Sequence, residues 1–175
     1  VNTLINDSSP LIKEGHHRLV EDFGDEHRTY FDILGAIASG NNTKPKVVNY
    51  LGYQINEAFP KLTDSFEIIN KITSMDASVN SKTIRYEIAD PFLRFWFRFI
   101  YKNRSATEIG NYTYVKDIID RDYPTYSGIE FEDLLREILK ESMQFNRIGN
   151  FGDRSEHNEI DVVAIKEKKK TALFI

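Results

Sequence analysis

The run Asp90-Pro91-Phe92-Leu93-Arg94-Phe95-Trp96-Phe97-Arg98-Phe99-Ile100-Tyr101-Lys102 constrains this chain more than any other feature. Asp followed by Pro starts a helix: the carboxylate caps the open amides, and proline suits the first helical position because it has no N–H to leave unpaired. At about 100° per residue, Phe92, Leu93, Phe95, Trp96, Phe97, Phe99 and Ile100 cover more than half of the circumference. One partner surface cannot cover so wide an arc, so this helix is expected to be a pillar with chain packed on both sides. Arg94, Arg98 and Lys102 share the remaining stripe, which is expected to be solvated and to pair with nearby acids.

Ahead of the pillar the apolar period is helical and then switches. Leu19, Val20 and Phe23 suit the end of a short helix closed by Gly24. Tyr30, Ile33, Leu34 and Ile37 predict a helix over 28–39, stopped by Gly40. Thr43 is an N-cap for a second helix through Val47, Val48 and Leu51, ended by Gly52. A third is predicted over 57–69, with Pro60 in its first turn and Leu62, Phe66 and Ile69 inward. Ile72 then lies in a short strand, residues 76–82 form a polar turn, and residues 83–89 alternate, with Ile84, Tyr86 and Ile88 on one face. Three helices followed by a two-stranded hairpin is the winged helix-turn-helix order.

Behind the pillar, a helix is expected over 111–122 with Tyr114, Val115, Ile118 and Ile119 inward, broken at Tyr123-Pro124. Ser127 and Glu130 form a capping box for another helix, whose apolar face carries Phe131, Leu134, Leu135, Ile138 and Leu139. Strands follow over 145–148 and 158–166, and Thr171 onward pairs back across Lys168-Lys169-Lys170. The fold class is α+β, mainly helical: a winged helix, then helices, then the start of an α/β core. The expected segments are 1–27 (a helical remnant of a preceding domain), 28–90 (winged helix), 91–126 (helical pillar and linker) and 127–175 (a partial domain). The chain opens on Val1 and closes in an apolar run, which reads as a piece of a longer polypeptide with an exposed strand edge. Dimerisation or disorder is expected around Thr171–Ile175.

Composition removes several classes of function. With no cysteine, there is neither a disulfide framework nor a thiolate metal site, and a reducing, cytoplasmic setting is expected. No stretch approaches the ~20 apolar residues of a membrane span. No G-x-x-x-x-G-K-[ST] loop occurs, so no ATP site is expected within this chain. The net charge of −4 means that any DNA contact must come from a local patch. Lys44 and Lys46 flank the start of the second helix, Lys61 lies on the third, Lys71 follows it, and Lys82 and Arg85 border the wing. These are the candidate phosphate contacts. Glu57, Asp64 and Glu67 share the third helix and repel phosphate, and winged helices also dock proteins.

Two carboxylates attract chemical interest. Glu132 borders the apolar face beside Leu135 and Leu139, where it either reaches a neighbouring sheet or snorkels to solvent. Asp161 shares a strand face with Val163 and Ile165. Such an acid must be paired, bind a cation, or lie at the strand's exposed start. His157, Glu159 and Asp161 alternate and offer a weak metal pattern; this histidine and the His16-His17 pair are read as solvated.

The segments Tyr30–Gly40, Arg85–Phe99, Phe131–Glu137 and Asn158–Ala164 together resemble the C-terminal part of the archaeal-type P-loop ATPases. The aromatic run is the most specific of them. In that family a nucleotide-binding domain precedes a winged helix and a restriction-endonuclease-like domain of unsettled role. The resemblance implies that Glu132 and Asp161 are nuclease-like acids holding Mg²⁺ in the intact protein, where the metal generates hydroxide. It also implies an acid-x-lysine end to the site that this chain lacks, so the chain is expected to carry no complete catalytic site. Expected partners are double-stranded DNA, the ATPase domain and a second copy of the chain. A non-catalytic interaction module that regulates the ATPase is the alternative.

Overall fold

The computed structural model describes residues 5–6, 9–24, 27–55, 57–72, 84–152, 159–167 and 171–174. It is α+β and mainly helical. The chain divides into two compact units, one of residues up to 72 together with 84–122, the other from Tyr123 onward; the division falls inside one helix, just before Pro124.

The first unit is built around the aromatic run. Helix α1 spans Pro10–Phe23, α2 His27–Ala38 and α3 Lys44–Leu51. The pillar starts as α5 (Pro91–Phe95), and one Oδ of Asp90 accepts the amides of Phe92 and Leu93 at 2.8 and 3.2 Å. It continues as a π-helical turn over Trp96–Ile100 and a 3₁₀ turn over Tyr101–Asn103. Helix α6 (Arg104–Glu108) follows. Leu93, Trp96, Phe97, Phe99 and Ile100 are all buried, so the wide apolar arc is covered from several sides. Phe31 of α2 lies edge-on to Trp96 and Phe97, with ring centroids 6.1 and 5.5 Å apart. From α1, the backbone of Gly15 lies flat against the Trp96 indole, whose Nε1 donates to the Ile12 carbonyl at 3.1 Å. The segment expected as a remnant of another domain is therefore a wall of this core.

The basic stripe departs from expectation at two of its three positions, Lys102 being exposed as expected. Arg94 and Arg98 are half-buried rather than solvated, and Arg98 donates from Nη1 to the Ala38 carbonyl at 3.2 Å, at the end of α2. The arginine satisfies a helix terminus that would otherwise be left open against the core.

Thr43 caps α3 as expected, accepting the Lys46 amide on its hydroxyl, and Gly52 closes the helix in the left-handed conformation. The third helix is shorter than the sequence suggests: α4 (Ala58–Pro60) runs into a π-helical turn over Lys61–Ser65 and stops. Glu67 adopts a φ of 54°, which reverses the chain, and the Ile68 amide bonds back to the Leu62 carbonyl. Ile69 thereby enters β1 (Ile69–Ile72) instead of ending a helix. Strand β2 (Arg85–Ile88) pairs antiparallel with β1, Ile69 opposite Ile88 and Ile72 opposite Arg85. Tyr86 and Ile88 face the core, but Ile84 lies before the strand and is exposed. The expected polar turn of 76–82 falls outside the described residues.

Helix α7 spans Tyr112–Glu141 without interruption, so the expected break at Tyr123-Pro124 and the capping box at Ser127 do not form. Proline's φ is helical. Its missing N–H orphans one carbonyl a turn earlier, at Asp120, and that residue is exposed to water. Ser127 caps nothing and donates to the Pro124 carbonyl at 3.1 Å. In the first unit Val115 and Ile119 of this helix are buried, whereas Tyr114 is exposed.

The second unit holds the rest of α7 and a three-stranded antiparallel sheet in the order β3-β4-β5: β3 Arg147–Gly152, β4 Glu159–Lys166 and β5 Thr171–Phe174. Strand β3 starts later and runs longer than the 145–148 expected. Strand β5 pairs with β4, Phe174 opposite Val163, so the expectation of disorder over 171–174 gives way to an ordered strand. Val162, Val163 and Ala164 of the central strand are buried. No helix among the described residues is long and apolar enough to cross a membrane.

Candidate functional site

The described basic candidates fall into three groups. Thr43 forms an isolated antiparallel bridge with Arg85, and the Tyr86 amide donates to the Asn42 carbonyl at 2.7 Å. This small third strand brings the start of α3, with Lys44 and Lys46, beside Arg85 at the end of the hairpin. Helix α3 starts at the same place, where its dipole favours an anion, although Pro45 has no N–H and the Lys46 amide is already held by Thr43. Lys61 is half-buried in the π-helical turn. Lys71 pairs with Asp64 at 3.4 Å, so its charge is partly answered. Lys82 lies outside the described residues. Glu57, Asp64 and Glu67 are exposed, but of the three expected to share the third helix only Asp64 lies within its π-helical turn; Glu57 precedes the helix and Glu67 follows it.

In the second unit, Glu132 and Asp161 are drawn toward one guanidinium. Arg136 Nη2 lies 3.6 Å from Glu132 Oε2 and donates to the backbone carbonyl of Asp161 at 2.8 Å, while Nη1 bonds Asp133. The helix spacing accounts for this, since residues three and four apart share a face. It is Arg136 that bonds the sheet, with Glu132 half-buried beside it on the same helix face. Asp161 does not share a face with Val163; its side chain is exposed. The cause is a bulge in the β3-β4 ladder. Gly149 pairs with Val163 and Phe151 with Ile160, so Asp161 and Val162 together oppose Asn150. One extra residue breaks the alternation and re-aims the acid toward water.

An Mg²⁺ shell requires about six oxygen donors. Among the described residues no group of three or more His, Asp or Glu side chains is placed to hold a metal, and a guanidinium already lies beside Glu132 and Asp161. The donors present therefore do not fit that ion on their own, and no hydrolytic step follows for these residues. His157 lies outside the described residues.

The sequence reading missed a cleft of about 950 Å³ in the first unit. Its walls come from α1, the N-terminal half of α2, the pillar's end, α6 and the first residue of α7. Phe31, Trp96 and Tyr101 form its floor, with Trp96 and Tyr101 centroids 5.5 Å apart. The Arg104 guanidinium lies 4.7 Å above the Tyr101 ring. Burial pushes the Tyr101 phenol above its ordinary range. Tyr53 donates its hydroxyl to Asp32 Oδ2 at 3.1 Å. Burial first, and the Asp32 charge second, push that phenol up to about 12, so it stays a neutral donor to Asp32 at ordinary pH. The only sequence signal was the His16-His17 pair, which lines this cleft. Its partners Arg28 and Arg104 are far apart in the chain, and no local spacing connects them.

Residues 96–175 match the model of the DUF234 family, described as archaea bacterial proteins of unknown function. A stretch of 160 residues is 38% identical to an uncharacterized protein of Methanocaldococcus jannaschii, covering 86% of this chain and 36% of that protein. The chain thus spans about a third of the length of the curated relative it matches. No solved structure matches the chain. From the pillar's tryptophan through the three-stranded sheet, the chain is similar to an archaeal and bacterial family whose function is unknown.

Proposed function

We propose that this chain is a DNA-associated module of an archaeal-type P-loop ATPase, with a winged helix in its first unit that contacts duplex phosphate. The observation that carries this reading is the Thr43–Arg85 bridge, which closes the hairpin onto the start of α3 and gathers Lys44, Lys46 and Arg85 at one end of the unit. Cations beside a helix N-terminus suit a backbone phosphate and read no bases, so binding is expected to be weakly sequence-selective.

Fluorescence anisotropy of a labelled duplex across a salt series tests it. Three phosphate contacts give a slope of log K against log salt near −2.7, since each contributes about −0.9. Replacing Lys44 and Lys46 with alanine is expected to flatten the slope by about 2 while leaving thermal unfolding unchanged. A slope that is the same in both proteins would sink the reading. The resemblance assigns Glu132 and Asp161 to a metal site of the intact protein, and that assignment remains part of this proposal only with donors beyond those described.

A second reading, a non-catalytic interaction module, rests on a specific observation. Phe131, Leu134 and Ile138 of α7 follow one another at helical spacing and are 58%, 54% and 52% exposed. Three large apolar side chains in one open stripe mark a contact surface rather than ordinary surface variation. Light scattering on the purified chain is expected to show self-association. Serine at all three positions should abolish it, with little change in melting temperature because the side chains are already in water. A wild-type protein that stays monomeric at high concentration refutes this reading.

A further inference from the structure

We propose that the cleft of the first unit binds a nucleotide-sized organic phosphate, its phosphate held by Arg28, Arg104 and Lys13 and its planar part resting along Tyr101 and Tyr112.

The charge balance of the cleft runs against that of the chain. The protein carries a net charge of −4. Lys13, Arg28 and Arg104 line the cleft against Asp32 and Glu108, a formal balance of +1 before any contribution from His16, His17 or His27. Lys13, Arg28 and Arg104 form no ion pair among the described residues, whereas Lys71, Arg121, Arg136 and Lys140 all do. One of the two acids is already engaged, because Asp32 accepts the Tyr53 hydroxyl. Cations around a concavity that pair with no acid among the described residues are suited to an anion from outside.

The cations also converge. Arg28, Arg104 and Asp32 all lie within electrostatic reach of the Tyr101 phenol. Arg104 is braced over the Tyr101 ring, which pre-orients its guanidinium and lowers the cost of ordering it on binding. The Nδ1 of His27 is engaged with the Gly24 carbonyl at 2.8 Å, which fixes the imidazole at the start of α2. The volume suits the class: small-ligand pockets span about 300–1,000 Å³. The Trp96 Nε1 is spent on the Ile12 carbonyl, so recognition falls to the cations and the tyrosines.

The test is calorimetric titration of the whole chain with adenosine monophosphate, inorganic phosphate, adenosine and a short single-stranded oligonucleotide. Adenosine monophosphate is expected to bind with a dissociation constant below ~1 mM, and phosphate or adenosine alone at least tenfold more weakly. Arg28→Ala with Arg104→Ala should weaken it by tenfold or more, and Lys44→Ala should leave it unchanged, which separates this site from the proposed duplex contact. Both arginines are exposed, so thermal unfolding of the double variant should match the parent. No saturation by adenosine monophosphate overturns the proposal. So does equal binding of inorganic phosphate, or tight binding of the oligonucleotide alone, which would make the cleft part of a nucleic-acid surface.

Discussion

Trp96→Ala is expected to remove about 3–5 kcal/mol from the stability of the first unit, the usual cost of deleting a buried tryptophan. The ring is 3% exposed and touches three separate parts of the chain: Phe31 of α2, Phe97 and Tyr101 of the pillar itself, and Gly15 of α1. Its loss opens a cavity that these walls cannot close without moving helices, and it frees the Ile12 carbonyl. A small domain has about 5–15 kcal/mol in total, so the variant should be close to unfolding at room temperature. Urea unfolding followed by far-ultraviolet circular dichroism measures this, because the variant has no other tryptophan to report by fluorescence. Arg104→Ala is the matched control, an exposed position expected to change stability by less than ~0.5 kcal/mol. A cost for Trp96→Ala below about 1 kcal/mol would mean that α1 and α2 are not docked through this ring.

Gly15→Ala tests the same contact from the other side. A Cβ at this position would lie 2.6 Å from two of the indole carbons and nearer still to a third, closer than real Cβ contacts come. Alanine normally favours a helix over glycine by about 1 kcal/mol. Here the clash should outweigh that gain, giving a net loss of about 1–3 kcal/mol as α1 is pushed off the pillar. Emission of the single tryptophan should shift to the red as water reaches the ring. The discriminating experiment is a double-mutant cycle: in a Trp96→Leu background the alanine has no ring to meet, and its cost should largely disappear. Equal costs in both backgrounds would show that Gly15 matters for some reason other than the indole.

What could be read from one dimension were features whose cause is local. The Asp90 cap, the Thr43 cap and the glycine stops at Gly24 and Gly52 need only neighbouring residues, and each forms where its pattern lies. The apolar arc of the pillar was legible for the same reason, since a helix turns by a fixed angle per residue. The helix across Pro124 was not. A proline removes one hydrogen bond locally, and whether the helix continues depends on whether the orphaned carbonyl finds water. Asp161 fails similarly: alternation assumes an unbroken ladder, and the bulge opposite Asn150 arises from pairing with a distant strand.

The candidate sites divide along the same line. Lys44, Lys46 and Arg85 were each named by residue type and position, but only the Thr43–Arg85 bridge brings them together. Glu132 was found at the edge of its helix face, yet the Arg136 guanidinium beside it reaches the Asp161 carbonyl only with the helix and sheet in place. The cleft was invisible, because Lys13, Arg28 and Arg104 come from three helices, the last of them beyond the whole hairpin. By itself, then, the sequence determined where helices start, which faces are apolar and which functions lack their motifs, all consequences of steric preference and hydrophobic period within a few residues. Tertiary structure alone decided which charges become neighbours, because Coulomb and hydrogen-bond partners act over a few ångströms in space and are indifferent to distance along the chain.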